Sequence, residues 1–439
     1  SDVNSLLMIM SILLLGIFFI KTISGIWINY IIIKFSFKQR MRLGVMLMNN
    51  YQNMRYIDFL KRNSSEYIHT TQNLVNEYSI GILQSGMKML CDGIVGVAIL
   101  TLLAITNLQA FSLLFGMLMI FIVLYDKAFR NKVKVFGKKT NIANIKMVKG
   151  IHEGLDGLKE IRVLGSEEYF LNQVRDGAIK NNKYGLYHGM IKEIPRYLIE
   201  FLLVLFVVIL VMLTLASGDS LQNLLPTLAM FGLAAVRLLP TANIISKGLT
   251  TFRFQRDSIS RLYNDVISIN NGEIADNNLS EEVYKSQPFE TLQMKNISFR
   301  YPNMKYDALK NINLEINSGD SIGIIGESGS GKTTLVDIIT GLLVPQSGKI
   351  EMDGNDYLNI SKDSLRRLFG YITQEPIIFN DTILNNITLW SNDGNDIDTL
   401  KKVKQACHIA NCSDFINETK YSYDSIVGDR GIRLSGGQR

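Results

Sequence analysis

The chain has 439 residues, enough for two or three domains, and its 47% hydrophobic content with a mean hydropathy of +0.13 exceeds the usual soluble range. The formal net charge is +6, but the Lys and Arg excess follows apolar runs, a pattern typical of membrane flanks that excludes nucleic acid as the partner. Three scattered cysteines, Cys91, Cys407 and Cys412, provide neither a disulfide framework nor metal-ligand spacing.

Five apolar stretches are long enough to cross a bilayer, which takes about 20 residues in helical form. They cover residues 6–33, 80–105, 111–129, 194–215 and 221–245. After about residue 249 the sequence alternates apolar and polar residues, as in a soluble domain. The composition therefore predicts a membrane-embedded first part and a soluble second part.

The connections between these stretches set the expected orientation. The long connections that follow the first and third stretches are rich in Lys and Arg, whereas the short ones around Asn107 and over residues 217–223 are nearly uncharged. The positive-inside rule places the long connections and the soluble part in the cytoplasm. Because five is an odd number, Ser1 falls outside, and we expect a further span upstream in the parent protein.

Periodic patterns in the long connections predict helices that extend tens of ångströms beyond the membrane, at about 1.5 Å per residue. Within them, residues 55–65 and 154–170 resemble short helical elbows that would transmit motion from the soluble domain, with solvated turns as the alternative. Residues 266–288 are polar and rich in Asn, which predicts a linker before a soluble domain that begins at residue 289.

A glycine-rich segment lies between a predicted strand over residues 321–325 and a predicted helix over residues 335–343. This order is that of a phosphate-binding loop. Backbone N–H groups and the helix N-terminus would surround phosphates, Lys332 would add a point charge, and the Thr333 hydroxyl would bind Mg²⁺. The sequence therefore predicts ATP and Mg²⁺ binding. The loop residues are Gly326, Glu327, Ser328, Gly329, Ser330, Gly331, Lys332, Thr333 and Thr334.

Two further positions, Tyr301 and Gln374, are candidates for a nucleotide site, although each is weak evidence when taken alone. Tyr301 follows a predicted strand, where an aromatic ring can stack on a nucleotide base, although an aromatic at a strand end is more often part of a core. Gln374 follows an apolar segment over residues 369–372, a place from which a polar side chain can reach Mg²⁺ and an attacking water.

The final motif is the pentapeptide Leu434, Ser435, Gly436, Gly437 and Gln438. With it the chain resembles the ATP-binding cassette transporter family, for which this motif is diagnostic. The resemblance implies that Ser435 and the glycine N–H groups contact the γ-phosphate of ATP held by the loop of a second subunit, so a homodimer or heterodimer is expected. It also places Tyr301 at the adenine-stacking position and Gln374 at the Q-loop position, and residues 427–431 resemble the segment that touches the elbows in exporters.

The resemblance implies a multi-domain exporter chain with an all-α transmembrane helical bundle over residues 1–265, the linker over 266–288, and an α/β P-loop nucleotide-binding domain over 289–439. Five of six expected membrane helices are present. The sequence stops before the family's catalytic Glu and switch His, so we assign no general base and expect this chain by itself to bind ATP poorly and not to hydrolyse it. For the full-length protein, the resemblance implies ATP hydrolysis coupled to transport. A bacterial inner (plasma) membrane location is expected.

Polar and charged side chains inside the membrane-spanning stretches are candidates for contacting the transported substrate. Arg196 and Glu200 form an i, i+4 pair, for which snorkelling to the interface is the alternative, and Arg237 lies inside the last apolar stretch. These stretches resemble those of bacterial lipid-linked oligosaccharide flippases, which implies a polyprenyl-pyrophosphate-linked glycan drawn by cationic side chains. A lipid, drug or peptide exporter, or a non-hydrolysing ATP-gated regulator or channel, remains open.

Overall fold

A computed structural model describes residues 2–216, 221–270, 289–302, 304–360, 364–365, 368–374, 376–390 and 397–439. The chain divides into two compact units. The helical unit comprises Ser1–Leu279 with Tyr301–Lys305, and the sheet unit comprises Ser280–Arg300 with Tyr306–Arg439.

The helical unit contains three very long helices, of 51, 49 and 50 residues. At about 1.5 Å per residue each is roughly 75 Å long, more than twice the thickness of a bilayer core. The predicted extension of helices beyond the membrane is therefore present. The helices are α1 Asp2–Gln52, α2 Tyr56–Phe59, α3 Ser64–His69, α4 Ser85–Thr106, α5 Leu108–Asp156, α6 Leu158–Leu164, α7 Glu167–Ala216, α8 Leu221–Phe254 and α9 Arg256–Asn270, with π-helical turns at Thr70–Leu74 and Glu77–Gln84.

Five helical segments among the described residues are long and apolar enough to cross a membrane. Four of them contain a predicted stretch in full, and the fifth, Leu228–Phe254, overlaps the predicted stretch 221–245 over residues 228–245. The predicted short connection at Asn107 is a single residue, whose side chain accepts a hydrogen bond from Ala110 N at 3.0 Å and so caps α5. The other short connection falls largely on residues 217–220, outside the described residues. Of the predicted linker, residues 266–270 continue α9 and residues 271–288 lie outside the described part of the chain.

The core of the helical unit lies where α4, α5, α7 and α8 meet. Its buried members are Leu103, Ala110, Leu114, Phe206, Leu210, Phe231 and Leu238. Glycines bring helices together at several points. At two of them, a Cβ on Gly96 would lie 2.9 Å from Thr241, and one on Gly177 would lie 2.9 Å from Met147. Small residues at helix contacts are typical of membrane bundles, because they let the backbones approach closely.

Both predicted elbows contain short helices. The first contains α2 and the start of α3, where the Asn63 side chain caps Ser65 N at 2.9 Å. The second contains α6, which ends at Gly165 in the left-handed conformation with φ of 65°. A left-handed glycine is a common helix terminator because it has no Cβ to clash.

The sheet unit begins with an antiparallel sheet in the order β2-β1-β3-β4. Its strands are β1 Thr291–Phe299, β2 Leu309–Asn317, β3 Ser347–Met352 and β4 Asn355–Asp356. In β1 the buried side chains are Leu292 and Met294, then Ile297 and Phe299, so the alternation shifts by one residue. The shift occurs at a bulge, where Asn296 has a φ of 54°.

Among the described residues, α10 Lys332–Ile339 lies between β2 and β3, and three helices follow β4: α11 Ile383–Thr388, α12 Ile397–Ile409 and α13 Ser413–Glu418. The last three share a small core of their own. It is formed by Ile383, Leu384, Val403, Cys407, Ile416, Tyr423 and Val427. The sheet unit therefore has two local cores, one under the sheet and one among the later helices.

Two local predictions for this unit were wrong in detail. Residues 321–325 do not form a strand, and Ile325 is 96% exposed. An apolar run becomes a buried strand only when neighbouring strands pair with it, and among the described residues none does. The helix predicted over 335–343 begins at Lys332 and ends at Ile339, shortly before Gly341 turns the chain with a φ of 75°.

Candidate functional site

The glycine loop before α10 requires glycine at two positions. Gly329 has a φ of 84° and Gly331 a φ of 92°, a region that other residues rarely adopt. Gly331 is also crowded, because a Cβ there would lie 2.5 Å from Ala308 O. The loop is thus held against the end of the connection between β1 and β2.

The Lys332 ammonium group lies within the turn of this loop. Its Nζ donates to Gly326 O at 2.8 Å and to Glu327 O at 2.7 Å. The helix α10 begins without a side-chain cap, and its first intrahelical bond runs from Leu335 N to Gly331 O at 2.9 Å. N–H groups before that bond have no intrahelical acceptor. The Lys332 cation, the N-terminus of α10 and the glycine-rich loop together suit a phosphate group.

The two threonines that follow Lys332 differ in their exposure. Thr333 is exposed at the start of α10, whereas Thr334 is buried with 6% of its surface accessible. Of the two, Thr333 is the one whose hydroxyl is available to a metal ion, in agreement with the assignment made from the motif. Its role as an Mg²⁺ ligand remains a prediction.

The end of β1, just before Tyr301, is fixed by side chains that the sequence did not single out. The side-chain amide of Gln346 accepts from Arg300 N at 2.6 Å and donates to Arg300 O at 2.7 Å. Arg300 Nε also donates to Asp307 Oδ1 at 2.7 Å. These bonds set where the half-buried Tyr301 leaves the sheet. Gln346 lies 46 residues away along the chain, so only the fold reveals its part.

Gln374 is exposed in the sheet unit, after residues 371–373 that have no regular secondary structure. Within the described residues it forms no side-chain hydrogen bond with Thr333. The assignment of Gln374 as an Mg²⁺ ligand remains a prediction.

The terminal pentapeptide forms a tight helical turn that Ser435 begins. Gln438 N donates to Ser435 O at 3.1 Å, and the Gln438 side chain accepts from Ser435 N at 2.9 Å. The bond from Ser435 N to the Gln438 side chain is one of the two side-chain bonds of a capping box. Leu434 packs against the core of the later helices, which anchors the turn while Ser435, Gly436 and Gly437 stay exposed.

The segment before the pentapeptide turns sharply. Gly428, Arg430 and Gly431 all have positive φ, of 78°, 50° and 65°. Arg433 N then donates to Val427 O at 3.2 Å, which closes the turn on itself. The closed turn therefore holds its exposed residues in a fixed arrangement.

The membrane-depth cations of the helical unit have different environments. Arg196 Nε lies 3.2 Å from Glu200 Oε1, and both side chains are exposed, so the charges offset each other on the surface of α7. Arg237 lines an open groove of about 720 Å³ together with Lys21 of α1 and the polar residue Asn29. Sequence reasoning missed Lys21, although a lone cation within an apolar stretch was the signal for it.

Comparison with known proteins decides the family. The family model described as ABC transporter matches residues 309–439, the part that holds α10 and the pentapeptide. Residues 309–439 therefore form a domain of the ABC transporter family.

Several curated ABC transporters are similar to the chain. It is 29% identical over 351 residues to ABC transporter B family member 1 of Dictyostelium discoideum, a match that covers 77% of the chain and 36% of that protein. It is 27% identical over 319 residues to an ATP-dependent lipid A-core flippase of Methylobacillus flagellatus, a match that covers 72% of the chain and 52% of that flippase. It is 42% identical over 148 residues to the α-hemolysin translocation ATP-binding protein HlyB of Escherichia coli O157:H7, a match that covers 34% of the chain and 20% of HlyB.

The fold has a solved counterpart. A bacterial Atm1-family ABC exporter with ATP bound superposes with a TM-score of 0.78 at 18% sequence identity, covering 93% of this chain and 71% of that one. This match confirms the exporter half-transporter fold, in which an all-α membrane bundle precedes a P-loop domain. The chain is an integral membrane protein with five helical segments, among its described residues, that can cross a membrane. It spans about half the length or less of the curated relatives above.

Proposed function

We propose that this chain forms part of an ATP-driven exporter that moves an amphipathic substrate across the membrane. One observation carries the proposal: the glycine loop before α10 and the pentapeptide at Leu434–Gln438 occur on the same chain as five helices that, among the described residues, are long and apolar enough to span a bilayer. In the full-length protein, ATP hydrolysis would supply the free energy for transport.

The loop residues 326–334 would bind the phosphates of ATP, with Lys332 offsetting their charge and Thr333 and Gln374 holding Mg²⁺. Tyr301 would stack on the adenine ring. The exposed Ser435 would face the γ-phosphate of the ATP held by a second copy of the chain. Support for a dimer is that one chain has one loop and one pentapeptide.

Transport would follow alternating access, in which closure of two cytoplasmic nucleotide-binding domains rearranges the long helices. Support comes from helices that extend well past the bilayer and from the short helices α2 and α6 in their cytoplasmic connections. A bacterial inner membrane is the proposed location.

For the substrate we propose a polyprenyl-pyrophosphate-linked glycan. The groove shared by Lys21 and Arg237 supports an anionic group at membrane depth, because two cations in an apolar environment attract one. The guanidinium of Arg237 can bind phosphate oxygens with two parallel hydrogen bonds. The similarity to a lipid A-core flippase also favours a glycolipid substrate.

The test is stimulation of ATP hydrolysis by the full-length gene product in liposomes. We expect a polyprenyl-pyrophosphate-linked glycan to stimulate hydrolysis, and the same glycan without its lipid, a cationic drug and an unfolded polypeptide to have little effect. The variant Lys332→Ala gives the background rate. Stimulation by the drug or the polypeptide alone would replace the flippase proposal with a drug or peptide exporter.

A further inference from the structure

An apolar chamber of about 310 Å³ lies among α4, α5, α7 and α8. Its walls are almost entirely hydrocarbon, and Gly93 of α4 leaves room on one side, since a Cβ there would meet no atom within 4 Å. Along α5 the chamber extends from Phe115 to Asp126, about 16 Å at the rise of a helix. A chamber of this shape and lining suits a hydrocarbon chain.

A second cavity, of about 540 Å³, opens beside the first at the end of the membrane span. It is formed by the continuation of α5 and by the junction of α8 with α9. The two cavities share three lining residues: Ile122, Asp126 and Arg253. They therefore meet, one apolar and one polar, at the level where a span ends.

The second cavity is strongly basic. Five cationic side chains line it, and Arg253 is offset by an ion pair with Asp126. In the part of the chain that the structure describes, the other four cations have no carboxylate within 4.0 Å. They are Lys127, Arg130, Lys134 and Arg256.

Three of these cations lie on one face of α5, because residues 127, 130 and 134 are spaced i, i+3 and i+7. Like charges at this spacing repel each other and destabilise a helix. An anion between them would turn the repulsion into attraction. Basic pockets between membrane helices, next to the bilayer surface, commonly bind lipid phosphates.

We propose that the two cavities form one binding site for an anionic membrane lipid, with its phosphate in the basic pocket and a hydrocarbon chain in the apolar chamber. This site is separate from the Lys21–Arg237 groove, and binding there requires neither ATP nor transport. The proposal therefore stands or falls independently of the substrate proposed above.

Native mass spectrometry of the full chain can measure the binding with dioleoyl phosphatidylglycerol as the probe. We expect Lys134→Glu to weaken binding about tenfold or more, since it replaces an attracting charge with a repelling one. The matched control is Lys132→Glu, which makes the same change two residues away on α5 but outside the pocket. We expect it to change the affinity less than about twofold. Equal effects of the two variants would overturn the proposal.

The apolar part is tested with Gly93→Leu, which fills the chamber, against Gly116→Leu, which adds the same side chain outside it. A Cβ at either glycine meets no atom within 4 Å, so both variants are expected to fold. We expect only Gly93→Leu to weaken lipid binding.

Two truncated probes separate the parts of the lipid. Dioleoylglycerol lacks the phosphate and glycerol 3-phosphate lacks the chains, and both are expected to bind at least about tenfold more weakly than the intact lipid. If glycerol 3-phosphate bound as tightly as the lipid, the site would be a phosphate site and the lipid proposal would be wrong. If dioleoylglycerol did so, the basic pocket would have no part in binding.

Discussion

Arg62 Nη1 lies 2.7 Å from Asp265 Oδ1, and this ion pair joins residues that are 203 positions apart in the chain. Asp265 is buried in α9, and its second oxygen accepts from the Tyr51 hydroxyl at 2.9 Å. The first elbow, the end of α1 and α9 are therefore tied to one carboxylate. This fixed attachment is what the proposed transmission of motion through the elbow requires.

Removal of this pair is expected to destabilise the helical unit. In the triad of Arg62, Asp265 and Tyr51, the variant Arg62→Ala leaves the buried Asp265 carboxylate with Tyr51 as its remaining partner. The free energy of unfolding should therefore fall by about 2 kcal/mol. This loss is smaller than for a fully buried pair because Arg62 is 42% exposed. Thermal unfolding in detergent micelles measures the change.

The control for this prediction is Arg55→Ala in the same elbow. Asp58, which Arg55 contacts at 2.7 Å, keeps Lys61 at 2.6 Å, so the expected loss is below about 1 kcal/mol. If the two variants lost the same stability, the Asp265 carboxylate would not be what stabilises the packing of the first elbow, α1 and α9.

The sequence predicted the membrane helices well, because a bilayer requires a long apolar run wherever a chain crosses it. It predicted a glycine turn just before a helix because glycine positions there are dictated by local φ, as at Gly329 and Gly331. Both features are local, so a short window of sequence contains what determines them.

Contacts between distant segments could not be predicted in this way. Arg62 and Asp265, or Arg300 and Gln346, become neighbours only after the helices or strands pack, and no spacing rule links them. The predicted strand over residues 321–325 was wrong for the same reason. Its apolar composition indicates a strand, but pairing depends on segments elsewhere in the chain.

Gly331 gives a sharp test of the nucleotide site. Gly331→Ala combines an unfavourable φ of 92° with a Cβ that would lie 2.5 Å from Ala308 O, so the loop must shift. We expect the affinity for a fluorescent ATP analogue, measured by anisotropy on the full-length protein, to fall about tenfold or more.

Gly319→Ala is the matched control for this substitution. Gly319 has a similar φ of 88°, but a Cβ there meets no atom within 4 Å and the residue lies outside the loop. It should cost about 1 kcal/mol of stability while nucleotide affinity is retained. Unchanged affinity in Gly331→Ala would contradict the assignment of this loop to phosphate binding.

His69 is expected to make stability depend on pH. It is 1% exposed at the end of α3, and burial, together with the nearby charge of Arg261, lowers its pKa to about 4. The unfolded chain binds a proton near pH 6.5 and the folded chain only near 4, so stability should fall by about 3 kcal/mol as the pH decreases across that interval.

Denaturant unfolding between pH 4 and 7 measures this dependence. Because carboxylates also titrate in that range, the quantity to compare is the difference between the parent and His69→Gln, which should have a flatter profile. His408→Gln, at an exposed histidine in α12, should follow the parent. A His69→Gln profile parallel to the parent would show that His69 protonates without opposing the fold.

The groove between α1 and α8 provides the test of substrate charge. Lys21→Ala and Arg237→Ala should each raise the concentration of an anionic lipid-linked glycan needed for half-maximal ATPase stimulation about fivefold, since each removes one attracting charge. Arg237→Lys should restore only part of the loss, because an ammonium group cannot form the two parallel hydrogen bonds of a guanidinium. Lys34→Ala changes the same residue type on α1 outside the groove and should leave the value within about twofold. An equal effect of Lys21→Ala and Lys34→Ala would mean that the net charge of α1, and not the groove, attracts the substrate.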